Sequence, residues 1–208
     1  MDPGKTDSWK WLLNNNGKFA TKSLSDVITT KMLGAGVNME ETVRNHLVPK
    51  KVEVFVWRAK RKRLPVLSEL DKRGIDLPSV LCPICEGDIE SVEHSLFSCL
   101  VACDIWNKVL NWWGLSGSPL SSLADAFSAS PSIQLSSSGA KIWQAVAWSC
   151  GYLIWKNRNE KIFNNKCWNP PVALSEIQVK SYEWIAKRCK TNIIDWHNWL
   201  HNPISLLV

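Results

Sequence analysis

The chain has 208 residues, of which 45% are hydrophobic and 21% are charged. This length and composition are typical of one large globular domain or two small ones, and they exclude a disordered or fibrous chain. No stretch reaches the roughly 18 uninterrupted apolar residues that a membrane-spanning helix needs, so no membrane partner is predicted. The polar first ten residues do not resemble a secretory signal, and nucleus or cytoplasm is the expected location.

The formal net charge of +6 is concentrated in one segment, residues 49–75. This segment contains nine basic and three acidic residues, so the rest of the chain is formally neutral. A basic patch confined to one segment predicts a surface for a polyanion. A solvated helix face is the alternative interpretation of the same charges.

The first predicted elements are a small β-hairpin and a helix near the N-terminus. Short apolar runs flank residues 14–17, which read Asn-Asn-Asn-Gly. Asn-Gly in this setting is typical of a hairpin turn, because both residues tolerate a positive φ. Ser23 is the predicted N-cap of a helix over residues 24–33, and Gly34 is its predicted stop.

Three helices are predicted in the middle of the chain. Residues 49–63 form the first, because apolar side chains recur there at intervals of three and four, and Leu64-Pro65 should end it. A short second helix should run to Lys72 and stop at Gly74. Residues 101–113 form the third helix, which Gly114 closes.

The C-terminal part is predicted to be a helical pair behind a linker. Residues 114–139 include ten serines, which favours a linker, with a short amphipathic piece at 120–127. A long helix carrying Trp148 and Trp155 follows, and Pro170-Pro171 opens a further helix that should pack against it. The expected fold is therefore mainly α, with four parts: a hairpin and helix in 1–48, basic helices and a metal-binding domain in 49–113, a linker in 114–139, and a Trp-rich helical region in 140–208.

Residues 82–99 carry the pattern of a metal site, C-x2-C followed by H-x4-C. Two thiolates from C-x2-C can grip one ion from a tight turn, which Pro83 and Gly87 are expected to stiffen and bend. Three thiolates and one imidazole saturate zinc, so we expect one Zn²⁺ in a closed, structural site. The predicted ligands are Cys82, Cys85, His94 and Cys99.

Several alternatives to this ligand set stay open. The cysteines could be chance thiols with His94 a surface imidazole, and Cys103, one turn after the last predicted ligand, is a substitute candidate. The other cysteines have no partner at a suitable spacing and are interpreted as ordinary core or surface thiols. These cysteines are Cys150, Cys167 and Cys189. Three histidines are also unassigned and are interpreted as structural or exposed: His46, His197 and His201.

Taken together, these motifs resemble one known family. The residues that carry the resemblance are 49–58, 63–65, 70–75, Cys82, Pro83, Cys85, Glu90, Ser91, His94, Phe97, Cys99, Ala102 and Trp106, with Trp9, Trp11 and 17–19 upstream and 154–163 downstream. They resemble the zinc-binding domain that lies C-terminal to the reverse transcriptase of plant LINE-type (non-LTR) retrotransposons. The resemblance implies the same four zinc ligands and a domain that holds template RNA or target DNA beside the polymerase.

The first functional hypothesis is a module that binds RNA or single-stranded DNA. Basic side chains of the segment would contact phosphates, and Trp57 would stack on a base, which contributes about 1–3 kcal/mol. The candidate binding residues are Lys50, Lys51, Trp57, Arg58, Lys60, Arg61, Lys62, Arg63 and Arg73. An enzyme is not predicted, because the chain has no Asp-Asp pair for polymerase magnesium ions and no hydrolase or nucleotide-binding motif.

The second hypothesis is a protein-interaction or scaffold domain captured by a host. The chain has 13 tryptophans, and tryptophan is favoured at binding hot spots. Core packing is the alternative for these residues, because Trp148, Trp155 and Trp184 recur at helical spacing. The basic run at residues 60–63 is also a candidate nuclear import signal.

Overall fold

Helices account for nearly all regular secondary structure in the residues that a computed structural model describes, which are 9–33, 44–115, 120–128, 135–166, 170–189 and 194–203. The predicted mainly α class is confirmed. Two compact units are present, a first unit of residues 1–42 and a second unit of residues 43–208. The described helices are α1 (Thr21–Leu33), α2 (Lys50–Lys60), α3 (Leu67–Asp71), a π-helical turn (His94–Ser98), α4 (Leu100–Trp112), α5 (Leu123–Ala126), α6 (Ser137–Asn164), α7 (Pro170–Ala186) and α8 (Trp196–His201).

The prediction of an N-terminal β-hairpin is wrong, because the described residues of the first unit form a turn and a helix without a strand. The Trp11 amide donates to the Gly17 carbonyl at 2.8 Å, which closes the turn. The Asn14 side chain donates to the Lys18 carbonyl at 3.1 Å, and the Asn16 side chain accepts from the Lys18 amide at 3.0 Å. Asparagine side chains thus take up backbone groups that a second strand would have paired.

Ser23 lies inside α1 instead of capping it. Its hydroxyl donates to the Ala20 carbonyl and accepts from the Trp11 indole, each at 2.8 Å. Phe19 contacts the Trp11 ring edge to face, with ring centroids 4.8 Å apart. The helix therefore begins before the predicted N-cap, while the predicted stop at Gly34 lies outside the described residues.

Helix α6 forms the centre of the second unit. Every residue from 142 to 151 is buried, and α6 packs against α2, α4, α7 and the π-helical turn. Gly151 allows the Phe127 ring, at the end of α5, to approach α6 closely, since an added Cβ would lie 2.6 Å from that ring. The Ser136 hydroxyl caps the helix by accepting from the Gly139 amide at 3.1 Å. The long helix and its packing against α7 agree with the sequence-based expectation.

The Ser-rich segment contributes a short helix to the core. The Ser122 hydroxyl caps α5 by accepting from the Asp125 amide at 3.1 Å, and Leu123 and Phe127 are buried. Helix α4, before this segment, contacts α6 and α7 after it. The parts on either side of the segment thus share one core, and the four-part division of the chain stays a prediction.

Most described tryptophans of the second unit are part of this core. Among the described tryptophans of this unit, Trp57 and Trp196 are exposed. As a separate finding, none of the described helices is both long enough and apolar enough to span a membrane. Trp112 and Trp184 are partly buried and pack against the core. The buried tryptophans are Trp106, Trp113, Trp143, Trp148, Trp155 and Trp199.

Helix α2 ends earlier than the sequence predicts. Lys62 adopts a left-handed conformation with φ of 52°. Its amide donates to the Ala59 carbonyl at 2.9 Å, and the Arg63 amide donates to the Arg58 carbonyl at 2.8 Å. This pair of hydrogen bonds is a Schellman motif, which ends the helix before Leu64-Pro65 is reached.

Candidate metal centre and basic surface

Cys82 and Cys85 lie on a tight loop between two short extended segments. The Cys82 amide donates to the Asp88 carbonyl at 2.7 Å, and an isolated antiparallel bridge joins Leu81 to Ile89. Within the loop, the Glu86 amide donates to the Cys82 carbonyl at 2.8 Å. This bridge is the β pairing found in the described residues, and no sequence pattern predicted it.

The loop turns at a different residue from the one expected. Glu86 has a left-handed φ of 55°, whereas Gly87 has an ordinary negative-φ backbone. A non-glycine residue in this region carries a conformational cost of about 1 kcal/mol. Glu86 therefore makes the bend that was expected at Gly87.

The other two predicted ligands lie at the ends of the π-helical turn. The Cys99 amide donates to the His94 carbonyl at 2.8 Å, five residues earlier, and the His94 amide donates to the Ser91 hydroxyl at 3.0 Å. A π-helical turn has an i to i+5 hydrogen bond and is frequent at functional sites. It places His94 and Cys99 beside the loop that carries Cys82 and Cys85.

The structure brings Cys82, Cys85, His94 and Cys99 together, with ligand atoms all within 4.8 Å of one another. The Cys85 Sγ lies 3.2 Å from the His94 Nε2, and all but Cys85 are buried. A tetrahedral zinc ion with Zn–S bonds of about 2.3 Å holds its sulfur ligands about 3.8 Å apart. Three soft sulfur donors and an imidazole in this arrangement fit Zn²⁺, while their role as ligands stays a prediction.

Hydrogen bonding within the cluster shifts the pKa values of the Cys82 and Cys99 thiols in opposite directions. The hydrogen bond between Cys82 and Cys99 raises the pKa of Cys82, which burial raises further, and it lowers the pKa of Cys99. The Cys85 thiol lies beside the His94 Nε2, whereas the Asp88 carboxylate lies 3.8 Å from the other ring nitrogen, Nδ1. A carboxylate there favours the tautomer whose Nε2 is free to bind a cation. Since a cation displaces thiol protons, metal affinity at this cluster should increase with pH.

The remaining cysteines lie apart from the cluster. The Cys103 thiol donates to the Phe97 carbonyl at 3.1 Å, so the structure does not place this substitute candidate with the four ligands. Cys150 is fully buried in α6, and burial raises its pKa. Cys189 is half-buried, and Cys167 lies outside the described residues.

A buried ion pair next to the cluster was missed by the sequence analysis. Arg158 of α6 donates from Nε to one Glu90 carboxylate oxygen at 2.7 Å and from Nη2 to the other at 2.5 Å. Both side chains are almost fully shielded from water. The Arg158 guanidinium also lies 4.7 Å from the centre of the Trp155 ring.

The Glu90 carboxylate also accepts hydrogen bonds from two further elements. The Leu67 amide, at the start of α3, donates to Glu90 at 2.7 Å, and the Ser95 hydroxyl of the π-helical turn donates to it at 3.3 Å. Glu90 and Arg158 are 68 residues apart, so no local pattern predicts their contact. The sequence did contain one indication that these residues matter: Glu90 and Arg158 are both among the residues that carry the family resemblance.

The predicted nucleic-acid surface is formed by α2 and the turn that follows it. Trp57 is 39% exposed, and the Arg61 guanidinium lies 4.7 Å from the centre of its ring. Lys50 is exposed and pairs with Glu53 at 2.7 Å. The other predicted residues that are exposed are Lys51, Arg58, Lys60, Lys62, Arg63 and Arg73, while Arg61 is half-buried.

The structure brings some of these basic residues together and separates one from the rest. The pKa of Glu69 is lowered mainly by a hydrogen bond from Lys72. The positive charges of Arg73 and Lys62 lower it further. The turn after α2 and the turn after α3 thus both contribute positive charge near Glu69. Lys51 lies instead beside α6 and α7, with its ammonium 5.6 Å from the Tyr152 ring centre and 5.9 Å from that of Trp184.

Comparison with known proteins supports the predicted resemblance. Residues 19–106 match the family described as zinc-binding in reverse transcriptase, and this range contains all four residues of the cluster. The chain is also 26% identical over 112 residues to an Arabidopsis thaliana protein named "Putative ribonuclease H protein At1g65750". That alignment covers 51% of this chain and 17% of the relative, so the chain spans less than a fifth of the relative's length. No solved structure matches the chain.

Proposed function

We propose that the second unit is a zinc-stabilised module that binds RNA or single-stranded DNA with little sequence preference, and that it has no polymerase activity of its own. In this proposal the chain derives from the C-terminal part of a plant LINE-type (non-LTR) retrotransposon reverse transcriptase. The observation that carries it is the solvent face of α2 and the turn after it, which carries exposed basic side chains and the exposed Trp57, with Arg61 over the Trp57 ring. The match of residues 19–106 to a reverse transcriptase family supports this origin.

The charges of this surface favour a phosphate backbone as the partner. Arg58, Lys60, Lys62 and Arg63 are exposed within six consecutive positions, and Val52, Phe55, Val56 and Ala59 bury the opposite face of α2. The helix is therefore fixed to the core while its basic groups face solvent. Phosphate contacts of this kind release counterions and give affinity without reading sequence.

The pairing of Trp57 with Arg61 favours a single strand over a duplex. An indole that is 39% exposed can stack on an unpaired base, and the guanidinium 4.7 Å from its centre can contact the adjacent phosphate. Stacking contributes about 1–3 kcal/mol per base and tolerates any base, because every base has an aromatic face. In a duplex the faces of the bases are already stacked on each other, so they are not available to Trp57.

The proposed role of zinc is structural. Cys82, Cys85, His94 and Cys99 would fill a tetrahedral site, which leaves no position for a reacting water. When bound, the ion would supply folding energy to the loop and the π-helical turn. The π-helical turn donates to Glu90 through the Ser95 hydroxyl, and Glu90 also accepts from the Leu67 amide at the start of α3.

The alternative, a Trp-rich surface for a protein partner, has less support in the described part of the second unit. Only Trp57 and Trp196 are exposed there, and Trp57 already belongs to the basic surface. We further propose that the module acts in the nucleus or cytoplasm, with residues 60–63 as a candidate import signal.

The direct test changes Arg58, Arg61 and Lys62 to Gln in the zinc-loaded full chain and measures affinity for fluorescent oligouridine and oligothymidine over a range of salt concentrations. The parent should bind both, with affinity that falls steeply as salt increases. Each lost phosphate contact should reduce the slope of log K against log salt by about 0.7, so the triple variant should bind weakly with a flatter slope.

A matched control changes Lys141, Lys156 and Lys187 to Gln, which removes the same charge from exposed positions outside the basic segment. This control should retain most of the parent's affinity. If both triple variants weaken binding equally, general charge explains the effect and the proposed surface is wrong. Absence of binding by the parent at low salt would also contradict the proposal.

A further inference from the structure

Two histidines on α8 form a pair that neither the zinc cluster nor the basic surface uses. His197 and His201 lie one helical turn apart, and both are exposed. Their ring centroids are 4.4 Å apart with an angle of 31° between the ring planes. Side chains at i and i+4 share one face of a helix, so both imidazole edges face the same solvent region.

A hydrogen bond fixes the tautomer of one of these rings. The His201 Nδ1 lies 2.9 Å from the His197 carbonyl oxygen. Because a carbonyl oxygen can only accept, Nδ1 carries the proton, and the Nε2 of the neutral ring keeps its lone pair. Histidines that bind metals commonly donate their other ring N–H to a backbone carbonyl in this way.

The backbone beneath the pair is firmly held. Trp199 is buried, its indole donates to the Gln178 carbonyl at 3.0 Å, and its own carbonyl accepts from the Trp112 indole at 2.9 Å. The Asp195 side chain caps α8 by accepting from the Asn198 amide at 2.9 Å. Since the helix is anchored by α4 and α7, little backbone freedom would be lost when the two rings bind one ion.

We propose that His197 and His201 form a second, exchangeable binding site for a borderline divalent transition ion such as Zn²⁺ or Ni²⁺. Imidazole nitrogen is a preferred ligand for such ions, with bonds of about 2.0–2.1 Å to zinc. His197 is exposed, so its ring can rotate until its Nε2 and that of His201 meet at one ion. Two protein ligands leave the remaining positions to water, in contrast to the closed cluster of three cysteines and a histidine.

The test adds Ni²⁺ to the full chain, already loaded with one equivalent of zinc, and measures binding by isothermal titration calorimetry. The parent should bind about one Ni²⁺ at this site. His197→Gln and His201→Gln should each weaken that binding at least about tenfold, because a chelate becomes a single bond. His46→Gln is the matched control, since it removes another exposed histidine and should leave the affinity unchanged.

A second measurement on the unchanged chain keeps the inference testable if a variant folds poorly. Substoichiometric Ni²⁺ should broaden the amide NMR signals of α8 before those of the rest of the second unit. Unchanged affinity in both single variants, or broadening that begins elsewhere, would overturn the proposal. Either result would leave the proposed nucleic-acid surface untouched.

Discussion

The Glu90 carboxylate joins three elements of the second unit through hydrogen bonds that are shielded from water. It accepts from Arg158 of α6, from the Leu67 amide of α3 and from the Ser95 hydroxyl. A buried pair of this kind gains little over an apolar pair of equal volume, because both charges lose hydration. Removing one partner is costly, however, since the other charge stays buried without compensation.

Glu90→Gln should therefore destabilise the protein by about 3 kcal/mol, measured as the free energy of unfolding in urea. Glu160→Gln is the matched control on the surface of α6, where the carboxylate lies 3.5 Å from Lys166. It should change stability by less than about 0.5 kcal/mol, as exposed ion pairs contribute little. Equal effects of the two changes would show that the Glu90 pair is not buried as described.

Sequence alone identified the four residues that lie together at the candidate metal centre, but not those of the ion pair. Cys82, Cys85, His94 and Cys99 lie within 18 consecutive positions, and their spacing is itself the signal. Glu90 and Arg158 meet only because α6 packs against the π-helical turn. Such a contact depends on tertiary structure, which has no local pattern.

At the scale of elements, the helix ends depart most from the sequence-based prediction. Residues 49–63 read as one helix up to Leu64-Pro65, yet α2 stops at Lys60 because Lys62 is left-handed. Lysine is an uncommon residue at this position, where glycine is usual. Likewise, hydrogen bonds of the Asn14 and Asn16 side chains replace the predicted N-terminal hairpin. Both differences arise from local backbone competition that hydrophobic periodicity does not report.

Lys62→Gly should stabilise the protein by about 0.5–1 kcal/mol, because glycine adopts the left-handed conformation without a steric penalty. Lys60→Gly, at the last residue of α2, should instead destabilise it by about 1 kcal/mol, since glycine is a poor helix former. The two variants remove the same charge two positions apart, so charge alone cannot explain opposite signs. Thermal unfolding of both variants checks the prediction, and a shift in the same direction would contradict the assigned end of α2.

At the scale of the whole molecule, α6 connects the candidate metal centre to the rest of the second unit. It contacts the π-helical turn that carries His94, and it packs against α2, which carries the basic surface. The sequence predicted a long apolar helix and its pairing with α7. It could not show that the Ser-rich segment contributes α5 to the same core, because a serine-rich composition resembles a linker whether or not its few apolar residues are buried.

The central claim is that the cluster of three cysteines and one histidine is a structural zinc site that stabilises this unit. The most direct measurement is the zinc content per chain after exhaustive dialysis, together with the unfolding temperature of the same samples. The parent and Cys103→Ser, whose thiol lies outside the cluster, should each keep one zinc. Cys85→Ser should lose the ion and unfold at a lower temperature. Undiminished zinc in Cys85→Ser, or loss of zinc in Cys103→Ser, would contradict the claim.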